Sequence, residues 1–214
     1  MEIVAMLDQA RRGVNVLEHP FYVRWSAGEL QPGELALYAG EYRSAVVALA
    51  DASELACERA PLAYRETLRR HADEERAHIE LWDAFAGAAG APADRDAPLA
   101  DTRACCNAFR AGEDALEHLA VLYALEASQP EVSRTKLAGL IEHYGYAPEG
   151  PATDYFRVHQ LLDVEHAGQA RALIVELLAV DRSEDQAARM VSRAEAALAG
   201  NWRLLDGVER AAAA

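Results

Sequence analysis

Apolar and polar residues follow one another along most of this chain with the period of an amphipathic helix. Apolar positions recur every three or four residues, and proline and glycine fall mainly between the periodic segments. No segment combines strand-like alternation with turn signals, and no internal repeat is visible. The pattern predicts helices at about 2–18, 33–59, 61–87, 102–127, 130–145, 154–179 and 183–211. We therefore expect an all-α bundle of seven helices that forms one domain over residues 1–214.

The composition excludes several classes of partner. A formal net charge of −14 argues against nucleic acid and against anionic membrane surfaces. No apolar run approaches the roughly 18 residues that span a bilayer, and the N-terminus lacks the features of a signal peptide. Three cysteines, an odd number without framework spacing, indicate reduced thiols. We expect a cytoplasmic protein that binds neither nucleic acid nor membrane.

The stretch HADEERAHIELW carries acids and histidines at helical spacing. Glu75 precedes His78 by three residues and Glu74 precedes it by four, so either pair projects from one helical face. Carboxylate-bridged di-iron bundles use an E-x-x-H step, because one turn then offers an oxygen and a nitrogen to the same metal. Taken alone, the stretch is more typical of a solvated charged face.

The stretch YFRVHQLLDVEHAGQA gives a stronger signal for metal binding. His159, Asp163 and His166 stand at positions i, i+4 and i+7 and form one stripe along an otherwise apolar helix. Three such side chains are costly to bury without coordination. Imidazole and carboxylate at this spacing suit iron, manganese or zinc, and the alternative is a polar surface patch.

A metal site inside a bundle also needs carboxylates from the facing helices. Glu126 in AVLYALEASQP and Glu41 in LALYAGEYRSAVVALA stand inside apolar runs, where a glutamate must be paired or coordinated. Four predicted helices thus offer enough ligands for two metal ions with positions left open for dioxygen. The candidate ligands are Glu41, Glu75, His78, Glu126, His159, Asp163 and His166. The other histidines are interpreted as exposed or hydrogen-bonded side chains, namely His19, His71, His118 and His143.

The order of these motifs resembles that of the haem-oxygenase-like di-metal oxidases. Within them, the chain resembles the CADD-like proteins (Chlamydia protein associating with death domains) over almost its whole length. The segments that carry the resemblance are LEHPFYVRWSAGELQPGELALYAGEY, HIELW, EASQPEVSRTKLAGLIEHYGY and YFRVHQLLDVEHA. The resemblance implies a haem-oxygenase-like bundle (TenA/PqqC-like) that uses an Fe/Fe or Fe/Mn pair, dioxygen and an external reductant. A homodimer is common for this fold, and we expect one here.

The resemblance also implies a reaction. CADD-like proteins are implicated in making para-aminobenzoate for folate biosynthesis by consuming one of their own tyrosines, with a lysine as amine donor. Tyr22 and Tyr38 match the two implicated tyrosines, and Lys136 matches the amine donor. Lys136 is the only lysine among 21 basic residues, and arginine cannot replace an amine nucleophile because its guanidinium stays protonated.

Three other functions remain open at this point. The first is a di-iron oxidase that acts catalytically on a small external amino acid or fatty acid, by C–C cleavage or N-oxygenation. The second is a metal-free enzyme of the thiaminase type, in which Cys57 or Cys105 would be the nucleophile. The third is a non-enzymatic interaction protein. The residues leave open whether Glu74 or Glu75 binds the metal and which tyrosine is consumed.

Overall fold

The helices expected from the periodicity are present in a computed structural model, which describes residues 2–93, 98–180 and 184–214. All the regular secondary structure of these residues is helical, so the expected all-α class is confirmed. Two single-turn 3₁₀ helices, Val16–Glu18 and Leu62–Tyr64, lie between longer elements. The α-helices are α1 (Glu2–Gly13), α2 (Pro20–Ser26), α3 (Pro32–Arg59), α4 (Arg65–Ala88), α5 (Ala100–Arg110), α6 (Ala115–Glu126), α7 (Gln129–His143), α8 (Asp154–Val180) and α9 (Glu184–Ala212).

The structure differs from the predicted helices near the N-terminus. The first helix ends at Gly13 instead of residue 18, and a short helix, α2, begins at Pro20. The ring nitrogen Nδ1 of His19 accepts a hydrogen bond from the amide of Phe21 at 3.0 Å, and Pro20 occupies the first helical position. A helix of 7 residues is too short for its period to be read from sequence.

The predicted helix at 102–127 is divided into α5 and α6. Asp114 caps α6 by accepting a hydrogen bond from the amide of Glu117 at 2.9 Å. Gly112 lies in the connection, where a Cβ atom would come within 2.8 Å of the His118 ring. The break therefore depends on the Asp114 cap and on the close approach of Gly112 to the His118 ring. The apolar period of the flanking residues does not indicate either feature.

Helix α6 forms the centre of the bundle. It packs against α3, α8 and α9, and every residue from Glu117 to Glu126 is buried. A helix that is apolar on all sides needs neighbours on all sides. The acid at its C-terminal end, Glu126, is consequently buried between α4 and α8.

Helix α7 approaches α2 closely enough to fix the backbone near Lys136. The indole Nε1 of Trp25 donates a hydrogen bond to the Lys136 carbonyl at 3.1 Å. Gly139, one turn later, permits this contact, because a Cβ there would lie 2.6 Å from Trp25 Cδ1. Among the helices described, none has the length and apolar character needed to cross a bilayer.

Candidate metal centre

Helices α4, α6 and α8 bring histidines and acids to one buried region. The possible ligand atoms form two groups, and the atoms within each group lie within 4.8 Å of one another. Glu75 belongs to both groups, so its carboxylate stands between two possible metal positions. One group is completed by His71, Glu126 and His166, and the other by His78 and His159.

The two flanking helices present these residues with the same spacing. On α4, His71, Glu75 and His78 stand at i, i+4 and i+7, and on α8 the stripe of His159, Asp163 and His166 repeats that order. The pattern H-x3-[E/D]-x2-H therefore occurs twice, although no repeat was visible in the sequence as a whole. Residues at this spacing share one helical face, so each helix directs three polar groups into the interior.

The structure corrects the interpretation of His71 as an exposed or hydrogen-bonded side chain. Its Nε2 atom is buried and lies 3.0 Å from Glu126 Oε1 and 3.9 Å from Glu75 Oε1. Its ring packs against that of His166, with a centroid separation of 4.1 Å. The repeated spacing on α4 and α8 is the signal that could have identified His71 from the sequence.

Glu75 Oε1 is the atom closest to the middle of the cluster. It lies 3.3 Å from His78 Nδ1 and 3.4 Å from His166 Nδ1. The rings of His78 and His159 meet edge to face with centroids 4.5 Å apart. One carboxylate oxygen thus faces imidazoles from both flanking helices.

Outer contacts orient two of the imidazoles. His166 Nε2 donates to Glu74 Oε2 at 2.8 Å, and His159 Nδ1 donates to the Tyr155 carbonyl at 2.7 Å. These bonds fix the tautomers and turn the other ring nitrogens toward the centre. The sequence left open whether Glu74 or Glu75 binds the metal. In the structure Glu75 lies inside the cluster, whereas Glu74 is partly exposed and forms a hydrogen bond with His166 at the edge of the cluster.

The unpaired atoms at this site fit a metal ion. Buried polar atoms without a hydrogen-bond partner are costly and rare in folded proteins. Here they include His71 Nε2, Glu75 Oε1, His78 Nδ1, both carboxylate oxygens of Glu126, His159 Nε2, Asp163 Oδ2 and His166 Nδ1. Imidazole nitrogens and carboxylate oxygens together suit iron, manganese or zinc, and coordination would satisfy these atoms at once.

The electrostatics of the metal-free cluster favour exchange of a proton for a metal cation. Burial lowers the pKa of His166, but the carboxylates of Asp163 and Glu75 outweigh this effect and raise the pKa to about 11. Burial raises the pKa of Glu75, but the imidazoles of His166 and His78 hold it well below its usual value. Without metal, the carboxylates therefore hold a proton on the His166 imidazole, and metal binding releases it.

Two predicted ligands lie outside these groups. Glu41 is a correction, because its Oε2 accepts hydrogen bonds from the Leu99 amide at 3.0 Å and from the Thr102 hydroxyl, at the start of α5. On α3 the neighbouring Tyr38 and Tyr42 occupy the buried face, and Glu41 is turned away from it. Asp163 is adjacent to the cluster, with Oδ1 3.7 Å from His166 Nδ1, but it joins neither group.

A second buried cluster surrounds Lys136. Its Nζ donates a hydrogen bond to Tyr38 Oη at 2.8 Å, and Tyr38 Oη lies 2.9 Å from Tyr22 Oη. Nζ also stands 4.8 Å from the ring centroid of Tyr22 and 4.9 Å from that of Tyr42. Burial lowers the pKa of Lys136 to about 7, and no carboxylate among the described residues pairs with it. The amine is therefore largely neutral above neutral pH.

A layer of aromatic rings, here called the aromatic wall, lies between the lysine cluster and the metal-binding cluster and contacts both. Trp82 packs edge to face against Tyr38 and Tyr155, with centroid separations of 5.9 and 4.8 Å. The Tyr155 ring then stacks on the His159 imidazole at 3.9 Å. The two predicted tyrosines and the lysine thus lie on one side of this wall, and the histidines and acids lie on the other.

Comparison with known proteins assigns the family. Residues 71–202 match a family described as iron-containing redox enzymes. The chain belongs to this family. The matched segment begins at His71 and includes every residue of both groups, whereas Tyr22 and Tyr38 precede it.

Individual relatives agree with the family assignment. The chain is 34% identical over 198 residues to a protein named 4-aminobenzoate synthase from Chlamydia muridarum, an alignment that covers 86% of this chain and 82% of the relative. A protein of Shewanella denitrificans with a haem-oxygenase-like fold has a TM-score of 0.76 at 18% identity, with 99% of this chain and 90% of that chain covered. A CADD-like protein of unknown function from Nostoc punctiforme has a TM-score of 0.74 at 18% identity, with both chains covered to 100%. The expected haem-oxygenase-like fold and the likeness to CADD-like proteins are confirmed.

Replacement of His71 should affect metal binding more than replacement of Glu41. We expect His71→Ala to weaken binding of Fe(II) by at least about tenfold, the lower limit for loss of a supporting partner of a metal ligand. Glu41→Gln should keep the metal content of the unaltered protein, because the Glu41 carboxylate is hydrogen-bonded to Leu99 and Thr102, away from the cluster. Anaerobic titration followed by metal analysis measures both. Equal metal loss in the two variants would contradict this arrangement.

Glu74 should act on the metal through His166. Glu74→Ala frees the imidazole to change its tautomer, and we expect metal affinity to fall roughly 10–100-fold. Glu74→Gln retains a hydrogen-bonding oxygen and should restore most of that affinity. Glu80→Ala changes the same residue type at an exposed position of the same helix and serves as the control. A normal affinity in Glu74→Ala would mean that His166 is oriented without Glu74.

The buried amine should make stability depend on pH. The pKa of Lys136 is lowered to about 7, whereas an unfolded chain keeps this proton up to a pH of about 10. Above pH 7 the unfolded state therefore binds more protons, and the stability of the protein relative to Lys136→Met should rise with pH by up to about 1.4 kcal/mol per unit. Below pH 7 the difference should be constant. Urea unfolding of the two proteins between pH 6 and 9.5 measures this, and a flat difference throughout would show that the folded protein buries a charged ammonium.

Proposed function

We propose that this protein is an oxygen-dependent metalloenzyme that makes 4-aminobenzoate, a folate precursor, from one of its own buried tyrosines. Tyr22 and Tyr38 are the two candidate substrates, and Lys136 is the amine donor. The names of the similar chlamydial proteins and the iron-containing redox family support the product and the class of chemistry. The observation that carries the proposal is the position of the Lys136 amine between the two tyrosine rings.

The amine is in a state and a position suited to attack on a tyrosine ring. A neutral amine has a free lone pair, and burial without an acid partner keeps Lys136 neutral at a pH above about 7. Nζ lies within 2.8 Å of the Tyr38 oxygen and faces the Tyr22 ring. An arginine at this position would remain charged and would have no lone pair to offer.

The proposed substrates are held as neutral phenols inside the fold. Burial and the neighbouring Tyr42 raise the pKa of Tyr22 well above its usual value, and burial with Tyr22 and Tyr42 does the same for Tyr38. Their hydroxyl groups can therefore donate hydrogen bonds to each other but do not ionise near neutral pH. Their side chains are fixed by packing against Phe21 and Trp25, so the reacting atoms are already in place.

The metal-binding cluster would hold the redox partner of this reaction. His71, Glu75, Glu126 and His166 would hold one ion, and Glu75 with His78 and His159 would hold the second. Iron in both positions, or iron with manganese, would supply the electron transfer to dioxygen that the oxidation of a side chain requires. The residues themselves keep the ligands oriented and exclude water through the aromatic wall of Trp82 and Tyr155.

The overall change follows from the structures of tyrosine and 4-aminobenzoate. The Cα–Cβ bond of the tyrosine breaks, and Cβ becomes the carboxyl carbon. One dioxygen molecule supplies both carboxyl oxygens, and Cα keeps a hydrogen in place of Cβ. The Lys136 nitrogen bonds to the ring carbon as the phenol oxygen leaves as water, and oxidation and hydrolysis then break the Cε–Nζ bond and leave an aldehyde at Cε. A second dioxygen molecule takes the two electrons of that oxidation and two from the external reductant and becomes water. Because the substrate is part of the chain, each protein molecule completes one turnover.

The size of the adjoining cavity supports an internal substrate over an external one. The cavity that reaches the Tyr42 and Tyr155 rings has a volume of about 30 Å³. Pockets that bind organic ligands are generally ten or more times larger, at about 300–1,000 Å³. A fatty acid or a free amino acid therefore has little space beside these rings, whereas a tyrosine of the chain needs none.

The metal-free alternative gains no support from the environments of the cysteines. Cys57, Cys105 and Cys106 are buried, and burial raises the pKa of Cys105, so its thiol is a poor nucleophile. None of the three belongs to the two groups of candidate ligands.

The proposal can be tested by anaerobic loading with Fe(II), with and without Mn(II), followed by air and a reductant. Mass spectrometry then follows the small molecules and the protein. We expect at most one 4-aminobenzoate per chain, a mass loss at Tyr22 or Tyr38 and a change at Lys136. Repeated turnover on an added substrate, with an intact chain, would favour the external-substrate oxidase.

Variants identify the atoms that enter the product. Lys136→Arg should bind metal and consume oxygen but release no 4-aminobenzoate, since it lacks the amine. Phenylalanine at the consumed tyrosine should abolish the product as well. Tyr146→Phe, at a half-buried tyrosine whose ring packs on Phe85 and not against Lys136, is the matched control and should behave like the unaltered protein. Full product from Lys136→Arg would exclude lysine as the donor.

A further inference from the structure

A narrow cavity, lined mainly by aliphatic side chains, lies between the protein surface and the candidate site. Its volume is about 30 Å³, which is room for one or two water-sized molecules. At its outer end Val14, Ser128 and Gln129 are partly exposed. At its inner end it is closed by the buried rings of Tyr42 and Tyr155. The cavity therefore extends from a surface near the start of α7 toward the interior.

The inner end of the cavity touches both halves of the site. The Tyr155 ring stacks on His159, a candidate metal ligand, at 3.9 Å. The Tyr42 ring faces the Lys136 amine, with 4.9 Å between Nζ and the ring centroid. Leu125, which lines the wall, directly precedes the candidate ligand Glu126. A small molecule in this cavity would be separated from the reacting groups by single side chains.

The lining of the cavity is mainly, but not wholly, apolar. Its buried wall consists largely of aliphatic side chains, among them Ala45, Val46, Leu49, Leu125, Val132 and Leu198. Polar groups enter the lining at Asn201, whose side chain hydrogen-bonds to the Tyr42 hydroxyl and keeps Oδ1 unpartnered, and at the partly exposed Ser128 and Gln129. A buried water typically needs two to four polar partners, and apolar cavities of proteins stay dry and accept gases such as xenon. The aliphatic part of the cavity is thus suited to a small apolar gas, and the volume of about 30 Å³ is too small for an organic substrate.

We propose that this cavity is the access route and binding site through which dioxygen reaches the metal centre. This inference rests on the proposed oxygen-dependent function, because dioxygen is its only external substrate other than electrons. An internal tyrosine removes the need for a large pocket, so the remaining opening needs to admit only a diatomic gas. Val46 and Leu49 of α3 and Val132 of α7 line its buried part.

A first test does not depend on activity. Crystals of the full-length protein are pressurised with xenon, which binds dry apolar cavities and scatters X-rays strongly. We expect a xenon site among Val46, Leu49, Leu125 and Val132. Ordered water in the cavity, with no xenon, would overturn the proposal whether or not the protein makes 4-aminobenzoate.

A second test uses a pair of substitutions one residue apart. Val46→Phe fills the cavity, whereas Val47→Phe makes the same change on the outer side of α3, beside a surface groove. In Val46→Phe we expect the oxygen concentration that gives half of the maximal single-turnover rate to rise roughly tenfold. The maximal rate itself should change little, because the substitution hinders access of the substrate and leaves the reacting groups intact. Val47→Phe should match the unaltered protein. Both should keep their metal content.

The outcomes separate this proposal from the proposed function. Xenon in the cavity of a protein that consumes no oxygen would leave the gas site standing and remove the oxygenase. An active protein whose oxygen dependence is the same in Val46→Phe and Val47→Phe would overturn the access route and keep the function. Ala45→Leu fills the same cavity by a smaller amount and replaces Val46→Phe if that variant does not fold.

Discussion

The buried carboxylate of Glu75 is the constraint on which the rest of this structure depends. A carboxylate removed from water is stable only when cations or hydrogen-bond donors surround it. Imidazoles from α4 and α8 provide that environment, at 3.3 Å for His78 and 3.4 Å for His166. The two helices must therefore keep a fixed separation and phase. Helix α6 has to end between them with Glu126, which explains why a helix that is apolar from Leu119 to Leu125 carries an acid at its last turn.

The acidic side chains lie on one side of the aromatic wall and not on the other. This distribution sets the protonation states of the histidines on the first side and of Lys136 on the second. All the described acids of the site lie with the histidines, where they raise the pKa of His166 and hold a proton that a metal ion can displace. None lies beside Lys136, so burial alone determines its state and lowers its pKa to about 7. An acid near Lys136 would keep the amine protonated and remove its lone pair. Trp82 and Tyr155 thus separate two environments that require opposite electrostatics.

The sequence predicted what depends on local periodicity and missed what depends on partners. Most helices and the stripe of His159, Asp163 and His166 follow from spacing alone. Glu41 was predicted to face the centre because its neighbours are apolar, yet an acid in an apolar helix is equally satisfied by the amide and hydroxyl of a neighbouring helix start, as it is here. His71 was missed because it was interpreted by itself. Comparison of α4 with α8 would have revealed the shared H-x3-[E/D]-x2-H spacing.

A substrate that belongs to the core has a consequence for the fold after the proposed reaction. Tyr22 and Tyr38 are fully enclosed and pack against Phe21, Trp25 and each other. Removal of one buried aromatic side chain typically costs about 3–5 kcal/mol. This is a large part of the roughly 5–15 kcal/mol by which most domains are stable. The reaction would therefore loosen the region that encloses its own product. Because the 30 Å³ cavity is too small for 4-aminobenzoate to leave, that loosening offers a physical route for release and a reason why the spent chain would not act again.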